Sequence, residues 1–95
     1  MNNTDINATL EQRGKQYGEF EHVAQTHCKL LETLAEGLQR QGIQKISPAL
    51  NTAVDMILMK LARFANGDPM HADNFHDIAG YAMLAEEWIN KQKLD

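Results

Sequence analysis

SPALNTAVDMILMKLARFANG, residues 47–67, is the stretch that decides the fold class. It opens with the clearest helix start in the chain. Ser47 is an N-cap residue, whose hydroxyl accepts a backbone N–H of the first turn. Pro48 follows at the first helical position, where an N–H has no partner anyway. The stretch closes on Asn66-Gly67, a C-terminal stop. In between, Leu50, Val54, Ile57, Leu58, Leu61 and Phe64 recur at three- and four-residue steps, the period of an amphipathic helix. The spacing predicts a helix from Pro48 to about Ala65, with that half of the wheel turned to the core.

The same signals place the remaining elements. Towards the C-terminus, GDPMHA (67–72) reads as a loop, and a fourth helix is expected from about Asp73 to Gln92. Towards the N-terminus, Val23, His27, Leu30, Leu31, Leu34 and Leu38 form an apolar stripe. It predicts a second helix from about Phe20 to Gln41, ended by Gly42. A short first helix is expected from Asp5 to Gln12, capped by Asp5 and stopped by Gly14. RGKQYG (13–18) then reads as a loop rich in side chains that grip ligands. No segment alternates with the two-residue period of a strand. The expected fold class is all-α: a small helical bundle of three long helices plus a short N-terminal helix, one domain over 1–95.

Composition narrows the function classes. The chain has 95 residues, too few for two domains, and 43% are apolar, enough for a core. The formal charge of −4 is the wrong sign for a protein that neutralises duplex phosphates, so neither DNA nor RNA duplex is an expected partner. Cys28 is the only cysteine, which excludes an internal disulfide and suits a reducing compartment. Its place in the stripe of the second helix predicts a buried, inert thiol. The polar start of the chain has no signal-peptide pattern and the longest apolar run is Met56–Met59. No membrane partner is therefore expected, and the bacterial cytoplasm is the expected location. A domain this small tends to complete its core by association, so a homodimer or larger assembly is expected, with the third or fourth helix at the interface.

The chemistry-bearing side chains fall into three groups. On the third helix, Asn51, Thr52, Asp55, Lys60 and Arg63 share one half of the wheel with Met56, Met59 and Ala62. Such a half is ordinarily a solvated face. Asp55, however, sits mid-helix among apolar residues, and Lys60 and Arg63 lie one turn apart, a spacing that lets two cations converge on a phosphate. In DNFHDIAGYA (73–82), Asp73 and Asp77 share one helical face, either for the helix dipole or to present oxygens to Mg²⁺. Gly80 predicts close approach by another backbone or a ligand, and Tyr81 lies beside it. Arg13, Lys15 and Tyr17 form the third group. The four histidines have no zinc-site spacing, and no Gly-rich phosphate loop is present.

RGKQYGEFEH, KLARFANGD (60–68) and DNFHDIAGYAMLA (73–85) together resemble a group of short phage and prophage proteins. That group is in turn distantly similar to the MazG-like all-α nucleoside triphosphate pyrophosphohydrolases. The resemblance spans Arg13 to Trp88. It implies a helical bundle, often dimeric or larger, with a nucleotide phosphate site between helices. MazG-like enzymes hold Mg²⁺ with Glu-x-x-Glu on one helix and Glu-x-x-Asp on the next. Here the second helix carries Glu32 and Glu36, four apart, and the third carries Asp55 with Thr52 in the partner position, so hydrolysis is not the first expectation.

Three functions compete on this reading. The first is a binding protein that captures a nucleotide-derived, phosphate-bearing molecule, in a phage setting a host immune signal, and needs no cofactor. Arg13, Lys15, Lys60 and Arg63 would hold phosphates. Tyr17 or Tyr81 would stack on a base, and Asp55, Asp73 and Asp77 would read hydroxyls or orient the cations. The second is a Mg²⁺-dependent pyrophosphohydrolase with Asp55, Asp73 and Asp77 on the metal. The third is a protein-binding inhibitor of a host enzyme.

Overall fold

The computed structural model describes residues 3–93, and they contain four α-helices and no strand. The helices are α1 (Asn3–Tyr17), α2 (Phe20–Arg40), α3 (Pro48–Asn66) and α4 (Asp73–Gln92). The all-α bundle expected from the sequence is present. No helix is long and apolar enough to cross a membrane.

The helix ends follow their local chemistry. Ser47 caps α3 as expected, its Oγ accepting the Leu50 N–H at 3.2 Å. α2 ends at Gly42, φ 78°, with the Gly42 N–H donated to Gln39 O and the Ile43 N–H to Leu38 O. This paired arrangement satisfies the last carbonyls of a helix and needs a left-handed residue.

The first helix is longer than the sequence suggests. It runs through Gly14 and the whole of RGKQY, so Arg13, Lys15 and Tyr17 are helical residues. The stop is Gly18, at φ 92°, whose N–H reaches back to Gly14 O at 2.8 Å. An interior glycine weakens a helix by about 1 kcal/mol but does not end it; a left-handed glycine does.

α3 is the middle of the molecule. α2 and α4 each pack along it and do not touch each other, so the bundle is an open row of three helices with α1 laid across α2 and α3. Asp55 and Asn66 mark the α2 side of α3 through bonds to His27 and Thr26. Lys60 and Phe64 mark the α4 side through Asp77 and Phe75. On a helical wheel the two sides are roughly 150° apart.

This arrangement corrects the simple two-faced reading of α3. Ala62, assigned to the polar half, is 0% exposed, and Lys60 is buried. Phe64, assigned to the core, is 38% exposed. A helix flanked on both sides buries two stripes, and residues of either polarity fall on them. Among the described residues the buried apolar set is small: Val23, Ala53, Leu58 and Ala62. Cys28 is exposed, its thiol 3.6 Å from Glu32 Oε1, because it lies about 100° round the helix from His27. Gly80 meets no close neighbour either; a Cβ built there would have open space.

Candidate functional site

The turn between α1 and α2 is pressed against the C-terminal end of α3. A Cβ on Gly18 would stand 2.4 Å from Asn66 O, and one on Gly67 would stand 2.5 Å from Gln16 O. The Asp68 N–H donates to Gln16 O at 3.0 Å across this contact. Asn66 fastens it from the other side, its Nδ2 donating to Thr26 Oγ1 and to Ala62 O, each at 2.9 Å. Two glycines and one asparagine thereby fix how α1 leaves the row.

α1 leaves at an angle that opens a groove between itself, α2 and α3. The groove has a volume of about 1410 Å³, and its lining includes Arg13, Lys15, Tyr17 and Arg63. Val23 and Met59 provide apolar lining, joined by the 87% exposed Phe20, His27 stands on the α2 wall, and the exposed Glu11 and Glu19 line it as well. The Arg63 guanidinium sits 4.9 Å from the centre of the Tyr17 ring. The His71 ring meets that same Tyr17 ring edge-on, with centroids 5.1 Å apart. Arg63 and Tyr17 are thus held as a rigid pair, in a cation–π contact.

Lys60, buried, and Asp77, 41% exposed, form an ion pair close enough to Arg63 for its charge to act on Asp77. Lys60 Nζ is 2.9 Å from Asp77 Oδ2, and the lysine side chain is 11% exposed. The hydrogen bond from Lys60 and the charges of Lys60, His76 and Arg63 hold the Asp77 carboxyl below the usual carboxylate range, against a smaller opposing effect of desolvation. One turn before Asp77, on the same helical face, Asn74 is 1% exposed and neither its Nδ2 nor its Oδ1 has a hydrogen-bond partner. His71 Nε2 is buried and unbonded as well. Buried amides without partners are uncommon and call for a bound water or ligand atom.

The sequence-predicted residues therefore separate. Arg13, Lys15, Tyr17 and Arg63 share the groove. Lys60 and Asp77 pair with each other outside the groove lining. Asp55 is bonded to His27 Nε2 at 2.7 Å, and not to Lys60 or Arg63. Asp73 is 74% exposed, 3.8 Å from His71 Nε2. Tyr81 is half-buried on α4, one turn beyond Asp77, outside the groove lining.

The residues present do not fit the Mg²⁺ of a hydrolase. Asp55, Asp73 and Asp77 each face a different partner. Among the described residues no three His, Cys, Asp or Glu side chains converge. His27, Phe20, His71 and Asn74 escaped the sequence reading. His27 alone left a signal: an imidazole in an apolar stripe needs a partner, and so does a carboxylate at mid-helix, but the two are separated by 28 positions.

A family model described as "Domain of unknown function (DUF6378)" matches residues 4–89. The chain belongs to the DUF6378 family. The matched span of this DUF6378 protein takes in all the groove residues and the Lys60–Asp77 pair. Comparison with curated proteins gave no match, and comparison with solved structures gave none either.

Proposed function

We propose that this DUF6378 protein binds a nucleotide-like, phosphate-bearing small molecule in the groove between α1, α2 and α3. The observation that carries the reading is the Arg63 guanidinium held 4.9 Å from the centre of the Tyr17 ring in a groove whose lining also includes Arg13 and Lys15. Three cations against the two carboxylates of the lining, Glu11 and Glu19, leave the groove positive in a chain of net charge −4. Arg63, already oriented on Tyr17, presents donors to a phosphate, and the aromatic surface of Tyr17 or Phe20 suits a base. The resemblance to phage proteins and to MazG-like pyrophosphohydrolases supports the same ligand class, with capture of a host immune signal as its use. The separated aspartates favour binding over hydrolysis.

The test is retention by dialysis against a panel of nucleoside triphosphates, cyclic dinucleotides and ADP-ribose derivatives, with Mg²⁺ present. At least one compound should be retained and released unchanged on denaturation. Arg63→Ala and Tyr17→Ala should each weaken retention by about 1.5–3 kcal/mol, roughly ten- to a hundred-fold. Lys60 is a poor probe, because its loss strands Asp77. Steady release of pyrophosphate would overturn the binding reading in favour of hydrolysis. No retention across the panel would leave the protein-partner reading in its place.

A further inference from the structure

His27 is a groove residue that phosphate binding does not use. It stands on α2 in one stripe with Phe20, Val23 and Ala24, all of which line the groove. The other three are apolar, so His27 supplies the hydrogen-bonding side chain of this stripe. Its side chain is 16% exposed, and its Nε2 is 2.7 Å from Asp55 Oδ1 on α3. A carboxylate only accepts hydrogen bonds, so Nε2 carries the hydrogen and donates it. In a neutral imidazole the other nitrogen is then an acceptor. Nδ1 has no hydrogen bond to the described residues. It is not sealed from solvent either: the buried side-chain nitrogens and oxygens without a partner belong to His71 and Asn74. Nδ1 therefore opens from the α2 wall as an unused acceptor.

The cations of the groove make that acceptor informative. Arg13, Lys15 and Arg63 donate hydrogen bonds and accept none. A ligand made of phosphate oxygens alone is satisfied by them and has nothing to give His27. A hydroxyl, which brings its own hydrogen, matches Nδ1. In a nucleotide-like molecule such a hydroxyl stands on the sugar, between the phosphates that suit the cations and the base that suits Tyr17. Glu11 and Glu19 accept as well, but both are exposed and their charge opposes that of a phosphate. The His27 ring accepts without charge. Asp55 lies outside the groove lining, so it acts through His27, as a positioning residue.

We infer that His27, held by Asp55, accepts a hydrogen bond from a sugar hydroxyl of the ligand, so that the groove selects a ribose phosphate over its deoxy analogues. The inference rests on the groove being a phosphate site, and adds to it a rule of choice among phosphate-bearing ligands.

The test is NMR on the full chain with isotope-labelled histidine at about pH 8, where the imidazole nitrogen resonances read the ring directly. The probes are inorganic phosphate, ribose 5-phosphate, and the 2-deoxy and 3-deoxy analogues of ribose 5-phosphate. In the free protein Nε2 should be protonated and Nδ1 bare. Ribose 5-phosphate should move the Nδ1 resonance and inorganic phosphate should not. At least one deoxy analogue should bind roughly three- to ten-fold more weakly, the worth of one neutral hydrogen bond, and leave Nδ1 unmoved. These readouts use the wild-type chain and do not depend on a variant folding. In His27→Phe the preference for the ribose compound should vanish, while inorganic phosphate binds as before. A protonated Nδ1 in the free protein, an Nδ1 that ribose 5-phosphate leaves unmoved, equal binding of ribose 5-phosphate and both analogues, or loss of phosphate binding in His27→Phe overturns the inference and leaves the phosphate groove standing. Binding of none of the four probes overturns the groove reading, and the inference with it.

Discussion

Gly18 and Gly42 separate two effects that a glycine can have. Both adopt positive φ, 92° and 78°, but only Gly18 is crowded, 2.4 Å from Asn66 O at the position of a Cβ. Gly42→Ala should cost the backbone strain alone, about 1–2 kcal/mol. Gly18→Ala should cost clearly more, because the α1–α2 turn must also move off α3. Urea denaturation of the two variants measures the difference. Equal losses would mean that the turn gives way freely and that the groove is not held open by this contact.

Asp77 sets an acid limit at the same scale. Its folded-state carboxyl titrates below its unfolded value, chiefly through Lys60. A depressed carboxylate stabilises the fold fully above the unfolded value of about 3.9 and loses that contribution as pH falls through the folded one. Melting temperature should therefore drop below about pH 4. In Lys60→Met the Asp77 resonance followed by NMR should titrate at higher pH than in the wild type. An unmoved titration would break the assignment of the shift to Lys60.

At the scale of the element, α3 carries its own start signal. Ser47→Ala removes one capping bond and should cost about 1 kcal/mol, within the roughly 0.5–2 kcal/mol range of such caps, by chemical denaturation. Leu58 tests packing on the same helix. It is one of four buried apolar residues among the described ones, and Leu58→Ala should cost about 2–5 kcal/mol. With so few buried side chains, either loss is a large share of a small domain's stability. α1 is the contrasting element. Its C-terminal end is tied to α3 through Gln16, Gly18 and Gly67, so its position depends on the glycine contact more than on its own apolar residues. Ile6 and Leu10, its apolar pair, are 43% and 61% exposed.

For the whole molecule, self-association of the kind expected of so small a domain would link stability to concentration. The midpoint of thermal unfolding should rise as protein concentration is raised a hundred-fold, because association draws the equilibrium towards the folded state. A midpoint that stays constant would mean that the single chain is stable without its partner.

The all-α class, the period of α2 and α3, the span of α4, the Ser47-Pro48 start and the Gly42 stop were legible in the sequence, because each depends on residues within a turn or two of one another. The groove cations Arg13, Lys15 and Arg63 and the ring of Tyr17 were legible as candidates by residue type. Tertiary structure alone decided the rest. Which of Gly14 and Gly18 ends α1 depends on which one meets Asn66. Lys60 is buried because α4 covers it, although its wheel position looked solvated. Asp55 found His27, and Thr26 found Asn66 at a separation of 40 residues, through the antiparallel packing of α2 on α3. Periodicity tells which side of a helix is apolar; it carries no information on how many neighbours that helix has. In this chain α3 has one on each side, and that count buried residues of either polarity on two of its stripes.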